Sequence, residues 1–185
     1  MTVWISLLRG INVGGHHLIR MEALRRLYAS LGFLDIQTHL QSGNVVFRAK
    51  ATDAGRLRTR IEKAIEAEFG FHSDVILRST AELKAAAAGN PFVNRPGMEP
   101  DKLAVHFLAG SPAEAARAQI LAIKANPEEL SLGERELYIY YAIGMARPNL
   151  KIAAVEKILQ MTGTSRNWNT VQKLVELADK AISSI

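Results

Sequence analysis

Three short segments of this chain hold most of the groups that chemistry would need. The first is Arg9-Gly10-Ile11-Asn12-Val13-Gly14-Gly15, followed by His16 and His17. Gly14 and Gly15 accept positive φ and let backbone N–H groups approach a ligand closely. Successive amides in such a loop, set between a strand and a helix, form a nest for an anion, and Arg9 adds charge-assisted hydrogen bonds. The segment lacks the GxxxxGK[ST] of a P-loop and the GxGxxG of a dinucleotide fingerprint. A tight turn that needs its glycines for geometry accounts for the same residues.

The second segment is Gln41-Ser42-Gly43-Asn44. Gly and Asn tolerate turn dihedrals, so a hairpin turn explains it without a ligand. Gln41 shares a strand face with Gln37 and His39, because alternate residues point the same way. The third segment runs from Thr162 to Thr170 and is dense in hydroxyls and amides, with Arg166 and the Trp168 indole among them. Ser165 or Asn167 suits the cap of the helix that follows, but a cap uses only part of this hydrogen-bonding capacity.

Taken together, the expected ligand-binding residues are Arg9, Gly10, Asn12, Gly14, Gly15, Gln41, Ser42, Asn44, Thr164, Arg166, Asn167, Trp168 and Asn169. The ligand they suit is anionic: a phosphate-bearing small molecule, a nucleotide or a nucleic-acid backbone. Gly14 and Gly15 amides and Arg9 would meet phosphate, Trp168 would stack, and Asn12, Asn44, Asn167 and Asn169 would supply directional hydrogen bonds. Two other readings stand beside this one. In one, the loops form an electrostatic hole for an enzyme of unknown class, with His16, His17 or His39 as its base. In the other, the motifs are structural and lock one half of the chain to the other.

Further templates find little support. Histidines 16, 17, 39, 72 and 106 show no metal-ligand spacing, and no GxSxG elbow is present, so no metal and no cofactor is expected. Glu66 with Glu68, and Glu128 with Glu129, read as solvated or turn charges. His106 reads as a core or edge residue. A βαββαβ sheet has the shape of an RNA-recognition module, but VVFRA lacks that module's aromatic pattern, and Trp4 and Phe47 read as core.

The elements that must hold these segments follow from periodicity. VWISLL (3–8) is an apolar run of strand length, and 21–31 places apolar residues at helical spacing up to Gly32. IQTHL and VVFRA flank the SGN turn as a hairpin. Thr52 or Asp53 can cap a helix through Phe69 with a stripe at 57, 61, 65 and 69, and VIL (75–77) is a further strand. The order is β-α-β-β-α-β. A short helix at 80–88 and a Pro/Gly-rich loop come next, then a strand at 103–108, a helix at 112–124, a hairpin turning near Gly133, and helices at 150–160 and 168–183. The second half thus repeats β-α-β-β-α and ends in a helix where the first has a strand. The expected fold is α+β: duplicated ferredoxin-like halves of sheet-and-helix layers, 1–80 and 81–185, in one compact unit.

The bulk numbers agree with such a fold. The chain has 185 residues, 48% of them hydrophobic and 22% charged, and can bury a core without staples. It has no cysteine, which excludes disulfides and thiolate sites and suits a reducing compartment. Its N-terminal apolar stretch is short and has no basic region before it, so it reads as a strand and not a signal peptide. No run approaches a membrane span. A cytoplasmic protein with no membrane partner is expected. Net charge is +5. Residues 1–80 carry 11 Lys/Arg against 7 Asp/Glu, 81–136 carry 6 against 8, and 137–185 carry 6 against 3. Basic ends attract phosphates, and the same charge also keeps a small protein soluble.

The RGINVGG loop, the QSGNVVF hairpin (41–47) and the T-x-RNWNTV-x-KL segment (164–174) together resemble an uncharacterised family, domain of unknown function 1697. The resemblance extends to residues 21–33 and to Asn90-Pro91-Phe92. It implies a duplicated ferredoxin-like fold and no established activity. The family often has GGKN where this chain has Gly15-His16-His17, and RSKL where it has Arg147-Pro148-Asn149-Leu150. With both lysines missing, Arg9 and Arg166 become the expected positive groups.

Overall fold

The computed structural model describes residues 1–50, 53–146 and 148–183. Thr52, one of the expected helix caps, and Arg147 lie outside the described residues. The chain folds as two compact units: Met1–Lys84 together with the chain from Lys173, and Ala85–Gln172. The closing helix is therefore divided at Gln172, whereas the expected halves placed all of it in the second.

Unit 1 contains β1 (Thr2–Leu8), α1 (Met21–Ser30), β2 (Leu34–His39), β3 (Asn44–Ala49), α2 (Ala54–Phe69) and β4 (Val75–Ser79). Its antiparallel sheet has the order β2-β3-β1-β4, which is the ferredoxin-like arrangement. The apolar stripe of α2 buries Leu57, Ile61 and Ile65 against Trp4, Leu8, Val45 and Phe47 from one sheet face. Asp53 caps α2 by accepting from Arg56 N, and Gly70 ends it at φ 76, a left-handed conformation that costs glycine little. Burial of such side chains stabilises by about 1.5–3 kcal/mol each. They cluster tightly, with the Tyr28 and Phe47 rings 5.2 Å apart edge to face.

Helix α3 (Thr80–Ala88) follows β4 without a loop. Unit 2 then builds β5 (Leu103–Leu108), α4 (Glu114–Leu121), β6 (Glu128–Leu132), β7 (Glu136–Tyr141), α5 (Ile152–Leu159) and β8 (Gly163–Asn167), and the closing helix α6 (Trp168–Ser183) starts at once. Its sheet order, β6-β7-β5-β8, reproduces that of unit 1. Ala104 and Leu108 pack with Ile120, Ile139, Val155 and Leu159 to form its core.

Strand β8 corrects the expectation of a loop at 162–167. The second half has its fourth strand after all, and so completes the βαββαβ order. The sequence GTSRN carries no apolar alternation, so a reading based on periodicity passes over it. Pairing with β5 makes it a strand: Val105 faces Arg166 and His106 faces Ser165.

Candidate functional site

The first two motifs come together in unit 1. Leu8 N donates to Gly43 O (2.9 Å) and Arg9 N to Asp74 O (2.9 Å), which fixes the exit of the chain from β1. Asn12, at φ 54, then closes the base of the loop. Its Nδ2 donates to Ile19 O (3.0 Å) and Gln41 O (2.7 Å), and its Oδ1 accepts from Ile19 N (2.9 Å). Asn12 N donates to His17 O, and His16 N donates to Val13 O (3.0 Å) above it. Gly14 (φ 58) and Gly15 (φ 79) form the tip between them, with the paired positive φ of a primed two-residue turn.

Gly43 ties the two motifs together. A Cβ there would lie 2.7 Å from both Ile11 Cδ1 and Leu8 Cβ, so only glycine lets the buried Ile11 pack on the hairpin turn. Asn44 is buried, and its Nδ2 donates to His39 O (2.8 Å) and Ser42 Oγ (2.9 Å). The Asn12 and Asn44 amides are thus engaged in shaping the loops. Outside that frame lie the exposed Gly10, Val13, Gly14, Gly15, His16, Leu18, Gln41 and Ser42, with Arg9 half-buried at the base. The His17 ring stacks on Phe71 at 4.3 Å, and its Nδ1 lies 3.2 Å from Gly10 O. Burial, with the charge of Lys173 second, pulls the His39 imidazole below its ordinary range.

The third motif belongs to unit 2 and is not a loop. Thr164 and Arg166 are buried in β8. Arg166 Nη1 donates to Thr164 Oγ1 (2.7 Å) and to Ser165 O (2.9 Å), and burial lowers the guanidinium pKa to about 10. Asn167 caps α6: its Oδ1 accepts from Asn169 N (2.8 Å), while its Nδ2 donates to Asp101 O (3.2 Å). Trp168 is only 5% exposed, so its indole has no open face for stacking, and Asn169 is exposed.

Sequence reasoning missed Arg78. It is 1% exposed and lies opposite Ile5 in β4, the register position that Arg166 holds opposite Val105 in β8. Arg78 Nη1 donates to Leu77 O (2.9 Å), as Arg166 does to Ser165 O. Aligning the halves on the strand that runs directly into a helix, Arg78-Ser79-Thr80 against Arg166-Asn167-Trp168, would have found it. The sequence places His106 at a core or edge position. It is buried, with Nδ1 2.9 Å from Ser165 Oγ. Among the described residues, no three His, Asp or Glu side chains converge as metal ligands, and no helix is long and apolar enough to cross a membrane.

Comparison with known proteins agrees with this architecture. A solved structure, that of the conserved bacterial protein SP0830 from Streptococcus pneumoniae, superposes with a TM-score of 0.77. It is 20% identical in sequence and covers 97% of this chain and 99% of its own, a likeness of fold. No curated protein matches the sequence. The pattern of a family described as protein of unknown function (DUF1697) matches residues 1–138. With that match over most of its length, the chain belongs to the DUF1697 family.

Proposed function

We propose that unit 1 binds an anionic, phosphate-bearing ligand at the tip of the glycine loop. One observation carries the reading: an exposed tip stands on a locked base. Asn12 holds the base by its side-chain bonds to Ile19 and Gln41, while Gly14 and Gly15 are exposed at positive φ. A Cβ at position 15 would meet nothing within 4 Å, so open space lies beside the tip. A preorganised loop loses little conformational freedom on binding. Arg9 brings positive charge to the base, and Gln41 and Ser42 offer polar side chains on the adjoining turn. The excess of Lys/Arg in residues 1–80 favours a phosphate over a neutral ligand. In this reading Asn12 and Asn44 shape the site, while Thr164, Arg166, Asn167 and Trp168 serve the framework of unit 2. The proposal includes a cytoplasmic setting, which a chain without cysteine suits.

The test is thermal unfolding in the presence of pyrophosphate, ATP and a short single-stranded oligonucleotide, each at low and high salt. A ligand at one hundred times its Kd adds about 2.7 kcal/mol of stability. We expect a rise in Tm with at least one of these compounds, smaller at high salt because exposed charges are screened. The rise should vanish in Arg9→Ala and in the double variant Gly14→Val/Gly15→Val. No rise with any of the three, or a rise that survives both variants, refutes the reading.

A further inference from the structure

We propose that Ser165, His106 and Glu156 form a nucleophile, base and orienting acid for acyl transfer from carboxylic esters. Neither the glycine loop nor the family match assigns this site, and all of its parts lie in unit 2. Ser165 is exposed on β8, an edge strand of its sheet. Its Oγ lies 2.9 Å from Nδ1 of His106, its cross-strand partner on β5. His106 is only 1% exposed, and its Nε2 lies 3.5 Å from Oε1 of Glu156 on α5. The same carboxylate oxygen accepts from Gly163 N (2.9 Å), which anchors it beside the ring. A hydroxyl reaching the solvent, a buried imidazole in hydrogen-bond reach and a carboxylate behind it are the parts an activated nucleophile needs.

Two further features fit the assignment. Any side chain at Gly163 would strike His106 Nε2 and lie 2.7 Å from Phe107 O, so the glycine keeps the space that the imidazole occupies. Strand register supplies an oxyanion donor. Ala109 N donates to Thr162 O, so hydrogen-bonded and non-hydrogen-bonded pairs alternate from there, and the His106–Ser165 pair is of the second kind. The Ser165 N–H therefore points away from β5 to the outer edge of the sheet, beside its own Oγ.

The chemistry balances within these groups. Ser165 Oγ forms a bond to the ester carbonyl carbon as its proton passes to His106 Nδ1, and the carbonyl oxygen takes negative charge near the outward amide. The C–O bond to the leaving alcohol breaks as His106 returns the proton to that alkoxide. Water then attacks the acyl-serine, its proton passing through His106 back to Ser165, and the carboxylic acid leaves. Glu156, whose carboxylate stands 3.5 Å from Nε2, would favour the tautomer that leaves Nδ1 able to accept and the imidazolium when it forms. The segment T-x-RNWNTV leaves position 165 open, so this activity would belong to this chain and not to the whole family.

The full chain is treated with a fluorophosphonate, which bonds to an activated serine oxygen with loss of fluoride. We expect one adduct per chain by intact mass, mapped to Ser165, absent in Ser165→Ala and formed at least about tenfold more slowly in Glu156→Gln. A second readout is independent of that variant's folding. The chain has no cysteine, so Ser165→Cys carries its sole thiol. Beside an imidazole this thiol should react with iodoacetamide at pH 6 at least about tenfold faster than that of Thr59→Cys, since a lowered thiol pKa raises the thiolate fraction. No adduct, an adduct that persists in Ser165→Ala, or equal thiol rates in the two cysteine variants overturns the proposal.

Discussion

Strands β4 and β8 occupy the same place in two sheets of the same order, yet they are built from opposite materials. β4 reads VILRS and β8 reads GTSRN. Both carry a buried arginine at the second position before the helix, and both run into that helix through a polar cap residue. Ser79 Oγ accepts from Glu82 N while the Glu82 carboxylate accepts from Ser79 N, a capping box; Asn167 does the corresponding work with Asn169 N. The difference lies on the helix-packed face. There β1 offers Ser6, bonded to Tyr28 Oη at 2.7 Å, opposite Leu77; β5 offers His106, bonded to Ser165. Burial drives the Tyr28 phenol further above its ordinary range than the Ser6 bond pulls it back. One sheet therefore shuts its polar pair inside an apolar core. The other leads its buried imidazole out to a hydroxyl in contact with solvent. The fold tolerates a polar fourth strand in which the buried Arg166 donates to Thr164 Oγ1 and Ser165 O.

Exchanging residues between the halves is the strongest way to break this comparison. Gly163→Val installs the residue that β4 has at Val75. Its side chain would collide with His106 and with the Phe107 carbonyl, and we expect a loss of about 3 kcal/mol or more in urea unfolding. A cost below about 1 kcal/mol would mean that His106 is not held in place against β8.

Two asparagines sharpen the contrast between a loop lock and a helix cap. Asn12→Ala removes the bonds to Ile19 and Gln41 and leaves alanine at positive φ, so a loss of about 2 kcal/mol is expected. Asn167→Ala removes a helix cap and should cost about 1 kcal/mol. Equal losses would erase the distinction between the two.

The smallest effect concerns pH. In the folded chain His39 holds its proton less tightly than the ordinary imidazole, whose pKa is 6.5. Below that pH the unfolded chain binds more protons at this residue, so stability rises with pH there and is lost as pH falls through the lowered folded value. His39→Gln should flatten the fall in Tm between pH 7 and pH 5 relative to the parent chain, and an unchanged slope would contradict the shift.

Much of unit 1 was legible because its signals are local. VWISLL, the 57-61-65-69 stripe, the SGN turn and the glycines at helix ends all act over a few residues, and the structure has the expected elements with ends moved by a residue or two. The glycine loop and the hairpin turn were legible as separate turns. Their joining through Asn12, Gly43 and Ile11 was not, since Asn12 and Gln41 are 29 positions apart. Trp168 read as a stacking surface because its type permits it; only packing decided that it is buried.

The sequence by itself determined the order of helices and strands in the first half, the repeat of its first five elements in the second, and the positions of the turns. It did so because hydrophobic periodicity and glycine conformations are properties of short stretches. Tertiary structure alone decided that GTSRN is a strand, that two arginines lie buried in matching register, and that His106 meets Ser165 and Glu156. A polar side chain does not carry its own fate. Whether it is a solvated loop residue, a buried hydrogen-bond partner or an activated group depends on what a distant strand or helix sets beside it, and for His106 that partner is 59 residues away.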